Sequence, residues 1–235
     1  MFSVYKKELK SYFITPVGYI FTGVFLAVSG ILFSLCTLYQ VESSSVSLYF
    51  SLLFLVLAIL LPLLTMKLLS DERRTKTEQL LLTSPISLFG MICGKYFAAL
   101  TLYGVTLLVN SVNFSLLYVY GEPNLSIIIA DIIAIFFVGA AFLAVGIFIS
   151  AITESQLIAA VMTILATFGM ILMSYIASAV STEWLRVIIK WFAVYNRFTA
   201  FSNGMFDIAA IIYFISFTVI FLFLTARLYE RRRWS

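Results

Sequence analysis

The sequence has no histidine, only two cysteines and four prolines, and Asp, Glu, Lys and Arg together make up 11% of its 235 residues. Each scarcity excludes something. Without histidine, the chain cannot supply His-based general acid–base catalysis or a His-ligated metal site. Cys36 and Cys93 fall near opposite membrane faces in the reading below, which excludes a bridge between them. They are too few for a structural zinc site and are expected as ordinary apolar thiols. A soluble domain carries about 25% charged residues and about 45–50% apolar ones. This chain is 63% hydrophobic, with a mean hydropathy of +1.08. A water-soluble fold cannot hide so much Phe, Leu and Ile, so a soluble enzyme, a nucleic-acid-binding module and a disordered tail are excluded. The net charge of +4 then reads as Lys and Arg gathered on the cytoplasmic side of a bilayer.

A spanning helix needs about 20 mostly apolar residues. Six stretches qualify, at about 17–39, 48–69, 96–120, 127–152, 157–180 and 208–228. They are continuously apolar rather than alternating, so helices are expected and a barrel is not. With the N-terminus inside, the inner segments hold Lys6, Lys7, Lys10, Lys67, Arg73, Arg74, Lys76, Lys95, Arg227, Arg231, Arg232 and Arg233, twelve of the fifteen basic residues. The positive-inside rule thus sets both termini in the cytoplasm. No linker or repeat divides the chain, and residues 1–235 are expected as one transmembrane domain. The fold class expected is all-α, with six transmembrane helices.

Three segments outside the spans carry information. In residues 2–13, Phe2, Tyr5, Leu9, Tyr12 and Phe13 share one helical face, and Lys6, Lys7 and Lys10 lie elsewhere on the wheel. That pattern suits a helix in the cytoplasmic interface with its lysines reaching anionic headgroups. Thr15 and Pro16 are expected as the N-cap and first residue of the span that follows. Residues 67–95 form the one long inner loop, with Asp71, Glu72, Arg73, Arg74, Lys76 and Glu78 close together. Thr75 and Glu78 fit a capping box for a short helix through Leu80, Leu81 and Leu82, and Ser84-Pro85 ends it and caps the next. Those leucines pack either on the protein's own helix ends or on a cytosolic partner, and composition leaves both open. The outer loop at 181–207 holds Trp184, Trp191, Phe192, Tyr195, Phe198, Phe201 and Phe206. It reads as an interfacial aromatic belt or as a lid or docking surface, with residues 183–193 able to form an amphipathic or re-entrant helix.

Chemistry-bearing motifs are sparse. Gly90-Met91-Ile92-Cys93-Gly94-Lys95-Tyr96 looks like a phosphate-binding loop but has three residues between its glycines and no Ser or Thr after the lysine, so nucleotide binding is not expected. Lys95 reads instead as the cytoplasmic end-marker of the third span. Asp131 is expected as a shallow, water-reachable acid near the outer face, and Asp207 and Glu154 sit at span boundaries. No ionisable cluster lies deep in the bilayer, which argues against an ion-coupled carrier. Gly139, Ala140, Ala144 and Gly146 give the fourth span a face for close helix approach. No metal ligand set is read anywhere.

The chain resembles the six-span permease subunits of ABC-2 type transporters, in particular the gliding-motility-type branch. The opening Tyr5-Lys6-Lys7-Glu8-Leu9-Lys10-Ser11-Tyr12-Phe13, followed by Pro16-Val17-Gly18-Tyr19-Ile20, is similar to that branch. So is the block of Leu64 to Lys67, Asp71-Glu72-Arg73-Arg74, Thr77-Glu78-Gln79-Leu80-Leu81-Leu82-Thr83-Ser84-Pro85 and Gly94-Lys95. The turn after Gly146 to Ser150, Thr153-Glu154-Ser155-Gln156, and the tail pieces Phe198 to Gly204, Asp207, Tyr213 and Arg227 to Trp234 complete the likeness. Gln79 stands where the family often has an acid, and Lys76 where it commonly has a glycine.

The resemblance implies a permease half of an ATP-driven unit, an exporter or a mechanotransmitting complex in the bacterial cell membrane. ATP and Mg would then belong to separate cytosolic ATPase subunits, and this chain would hold no cofactor and be no enzyme. It implies a second permease copy or paralogue, and in this branch an accessory membrane protein with an extracytoplasmic domain. Asp71, Glu72, Arg73, Arg74, Lys76, Thr77, Glu78, Gln79, Leu80 and Leu81 would form the coupling helix region seated on the ATPase. Tyr5, Lys6, Lys7, Leu9, Lys10, Tyr12 and Phe13 would flank it as the interfacial helix. Trp184, Trp191, Phe192, Tyr195 and Phe198 would meet the accessory partner. The competing reading is a stand-alone secondary transporter or channel.

Overall fold

A computed structural model describes residues 1–38, 46–76, 87–117, 124–180, 182–202 and 207–234. Every regular element among them is helical. Helix α1 (Phe2–Ile14) leads into α2 (Pro16–Phe33), which a π-helical turn at Ser34–Leu38 extends. Helix α3 (Val46–Thr65) is followed by the short α4 (Ser70–Arg74). Then come α5 (Leu88–Ser111), extended by a 3-10 turn at Val112–Leu116, and α6 (Leu125–Ile152). Helices α7 (Gln156–Ala179), α8 (Glu183–Phe192), α9 (Val194–Ser202) and α10 (Ile208–Trp234) complete the chain. Six of these, α2, α3, α5, α6, α7 and α10, are long and apolar enough to cross a membrane. In lipid the backbone must satisfy its own hydrogen bonds, so continuous apolar runs fold as helices.

Helix α6 is the central post. It packs against α3, α5, α7, α9 and α10, and small residues let its neighbours approach closely. A Cβ at Gly139 would strike the Tyr103 ring, and one at Gly146 would strike Thr65. The Tyr103 hydroxyl uses that approach to donate to the Ile135 carbonyl at 2.7 Å. Helix α3 carries Pro62 inside it. Proline has no N–H for the carbonyl four residues earlier. That carbonyl, of Ala58, lies 3.1 Å from the hydroxyl of the buried Thr167 of α7.

Several expectations are corrected. The third span begins at Leu88, not near 96, and its N-cap is Ser87, whose hydroxyl accepts the Gly90 N–H at 3.3 Å. Lys95 is therefore about two turns inside the helix and only 2% exposed, not an end-marker. Asp131 is fully buried rather than water-reachable, because α6 is enclosed by its neighbours, and neither carboxylate oxygen has a hydrogen-bond partner among the described residues. The inward stripe of α1 is Val4, Tyr5, Leu9 and Tyr12, while Phe2 and Phe13 are exposed. Thr15 and Pro16 do begin α2, but the Thr15 hydroxyl donates to Ser11 rather than capping.

At the end of the bundle that carries α8 and α9, the aromatic residues divide. Trp184 and Trp191 of α8 are exposed. Tyr195 is half-buried, and Phe198 is fully buried with its ring 5.2 Å from that of Phe54. Phe198 thus belongs to the internal packing and cannot meet an outer partner. The side chain of Phe192 lies outside the described ones.

Candidate functional site

The opposite end of the bundle gathers most of the described charge. Three elements far apart in sequence meet at Lys95 of α5. Its ammonium donates to Glu8 of α1 at 2.9 Å, to Glu72 of α4 at 2.7 Å and to the Leu68 carbonyl at 3.0 Å. An ammonium has three N–H donors, and all three are used. The two carboxylate side chains are 14% and 16% exposed. A lysine can be buried when its charge is matched in this way. Next to it, Gly94 leaves room for the first turn of α1, whose Val4 and Tyr5 would sit 3.2–3.3 Å from any added Cβ.

Helix α1 is tied down at further points. Tyr12 donates to the Leu64 carbonyl at the end of α3 at 3.2 Å, and burial raises its hydroxyl well above the usual tyrosine range, which keeps it a neutral donor. Tyr5 and Thr101 pair through their hydroxyls at 3.1 Å.

Helix α4 is held from its other side by the junction of α6 and α7. No side chain of its own caps its first turn. Instead Ser150 of α6 accepts the Leu69 and Ser70 N–H groups at 3.2 and 3.1 Å and lies 3.3 Å from the Met66 carbonyl. The cap is supplied by another span and satisfies donors that a helix start leaves open. Arg73 donates to the Ile152 carbonyl and pairs with Glu154 at 2.8 Å. Gln156 donates to Asp71 at 2.6 Å. Five residues thus bridge α1 and α5 on one side to α6 and α7 on the other.

Beyond α4 the backbone turns sharply. Lys76 has φ 57°, the left-handed region that favours glycine. Thr75 ends the helix, its hydroxyl donating to the Asp71 carbonyl at 2.8 Å. Arg74 and Lys76 are exposed. Thr77, Glu78, Gln79, Leu80 and Leu81, with the expected capping box and leucine helix, lie outside the described residues. Lys6 and Lys10 are exposed on α1. A cavity of about 490 Å³ opens between α1 and α4, lined among others by Lys7, Glu8, Tyr12, Lys67, Glu72 and Lys95.

A second polar cluster was not legible from the sequence. Ser29 of α2 donates to Asn110 of α5 at 2.7 Å, and Asn110 donates to Tyr49 of α3 at 2.8 Å. The Phe33, Phe50 and Phe114 rings pack edge-on against Tyr49. It is neutral and fully paired, which suits interhelical adhesion. Among the described residues no group of His, Cys, Asp or Glu could hold a metal, and both cysteines are buried free thiols. Comparison with protein-family models gives no match, and neither does a search of curated proteins.

Proposed function

We propose that the chain is the membrane-spanning subunit of an ATP-driven transporter of the ABC-2 type, worked by a separate cytosolic ATPase. The observation that carries this reading is the double clamp on α4. A short charged helix outside the apolar spans, bound to two helix pairs at once, can transmit a push from a partner into both. Here the push would pass through Glu72 to Lys95 and α1, and through Ser150 and Glu154 to α6 and α7. In this reading the charged end faces the cytoplasm, α1 lies in the interface, and ATP hydrolysis belongs to the partner. A second permease copy or paralogue completes the unit, and the exposed Trp184 and Trp191 of α8 receive an accessory outer protein. For coupling, the ATPase must grip α4 differently in its two nucleotide states, because equal affinity for both would shift nothing.

Co-purification tests the reading. A tagged chain should bring down a nucleotide-hydrolysing subunit. Arg74→Glu with Lys76→Glu should lose it with little change in the thermal midpoint, since both side chains are exposed and the Arg74–Asp71 pair that is broken is an exposed one that contributes little. A well-folded chain with no such companion would count against the proposal.

The buried Asp131 favours one second reading, a secondary transporter, because intramembrane carboxylates mark ion pathways by default. Flux driven by an ion gradient in ATP-free vesicles, abolished by Asp131→Asn, would establish that reading instead.

A further inference from the structure

We infer that the cavity between α1 and α4 is a seat for the phosphate of an anionic phospholipid, gripped by Lys7 and Lys67. Three lysines and three acids line it, namely Lys7, Lys67, Lys95, Glu8, Asp71 and Glu72. Lys95 is spent on Glu8 and Glu72, which leaves that triad one negative charge. Asp71 is engaged by Gln156 and Arg74. Lys7 and Lys67 are both exposed, and Lys7 lies near enough to Glu72 to favour its charged form. With Arg74 counted against Asp71, four cations face three acids, and the local balance is one positive charge, offered by two ammonium groups on separate elements. That complements a lipid bearing a single net negative charge.

Position supplies the second half. Helix α1 runs straight into the span α2 through Thr15 and Pro16, so the cavity opens where a bilayer surface would lie. Within one turn of its lining residues Thr15 and Val17, the residues Ile14, Tyr19 and Ile20 are exposed and apolar, a surface for acyl chains. The lining also includes Tyr12 and Leu68. A free phosphate would use the lysines but not the apolar margin. The inference needs α1 to lie in the interface, as proposed above, but does not need the ATPase. Its readout can therefore succeed where the ATPase reading fails.

Native mass spectrometry of the full-length protein in detergent, titrated with phosphatidylglycerol, tests it. Basic residues near a membrane surface each contribute about 1 kcal/mol to anionic lipid binding, or about fivefold. Lys7→Gln and Lys67→Gln should each weaken binding about fivefold, and the pair ~25-fold. Lys6→Gln with Lys10→Gln removes the same charge from α1 outside the cavity and should weaken binding less than the Lys7/Lys67 pair does if the site is local. Lys7→Arg with Lys67→Arg should keep binding, which controls for misfolding. Equal loss in the Lys6/Lys10 pair would reduce the effect to diffuse surface charge and overturn the seat. Displacement of the lipid by equimolar inorganic phosphate would make it a free-anion site and overturn it too. Lipid binding retained in the Lys7/Lys67 pair, with capture of an ATPase lost, would assign the cavity to a protein acid instead.

Discussion

Lys95 is the residue on which the charged end turns. Replacing it with Met would leave Glu8 and Glu72 facing each other with no cation between them. Breaking a buried pair in this way costs about 3–5 kcal/mol. Glu8→Gln or Glu72→Gln would each leave a one-to-one pair and should cost less. The order of thermal midpoints in detergent should therefore be wild type, then either glutamine variant, then Lys95→Met well below. Adding both glutamines to Lys95→Met should recover much of the loss, because no buried charge then remains unmatched. Equal midpoints for all four would show that the triad is not formed. Lys76 makes an opposite prediction. Its positive φ costs a non-glycine residue on the order of 1 kcal/mol or more. Lys76→Gly should raise stability by roughly that amount, and Lys76→Val should lower it. A fall in midpoint on introducing glycine would contradict the strain. The triad could not be read from sequence, because a lysine near an apolar run looks like an end-marker until its distant partners are known. Glu8 and Glu72 stand 87 and 23 positions away, and no local pattern signals them. Lys76 was visible only as a departure from a glycine in the family it resembles.

At the scale of elements, α4 depends on a cap it does not own. Ser150→Ala removes the acceptor for the Leu69 and Ser70 N–H groups. Loss of such a cap costs about 1 kcal/mol, or about fivefold in local opening. Hydrogen exchange should accelerate by that factor across residues 69–74, with α3 and α6 unchanged. Glu154→Ala should do much less, because Glu154 is 70% exposed and exposed ion pairs contribute little. If the two variants behaved alike, the clamp would be electrostatic rather than a cap. The spans themselves were legible, because twenty continuous apolar residues leave the backbone one solution in lipid. The start of α5 was missed by eight residues: the apolar count began after Lys95, whereas the helix begins at the Ser87 cap. The helix at 183–193 was legible from its amphipathic spacing and appears as Glu183–Phe192. The burial of Phe198 was not, since one aromatic in a dense run looks like another until Phe54 is placed beside it.

For the whole molecule, the bundle has one apolar body and one charged end where four of its helices are cross-linked through a fifth. The body explains membrane residence; the charged end is where outside force could enter. Hydropathy revealed the first and could not reveal the second, whose connections cross up to 87 positions of sequence, as from Glu8 to Lys95. The central claim is that a separate ATPase works the spans through α4. Its most direct test is ATP hydrolysis by the co-purified complex in lipid vesicles, compared with the ATPase alone and with the Arg74→Glu, Lys76→Glu complex. The account predicts a distinct, permease-dependent rate for the wild-type complex and a fall to the isolated-ATPase rate in the variant, with the variant's fold intact. An unchanged rate in the variant, or full transport by this chain alone without ATP, would contradict it.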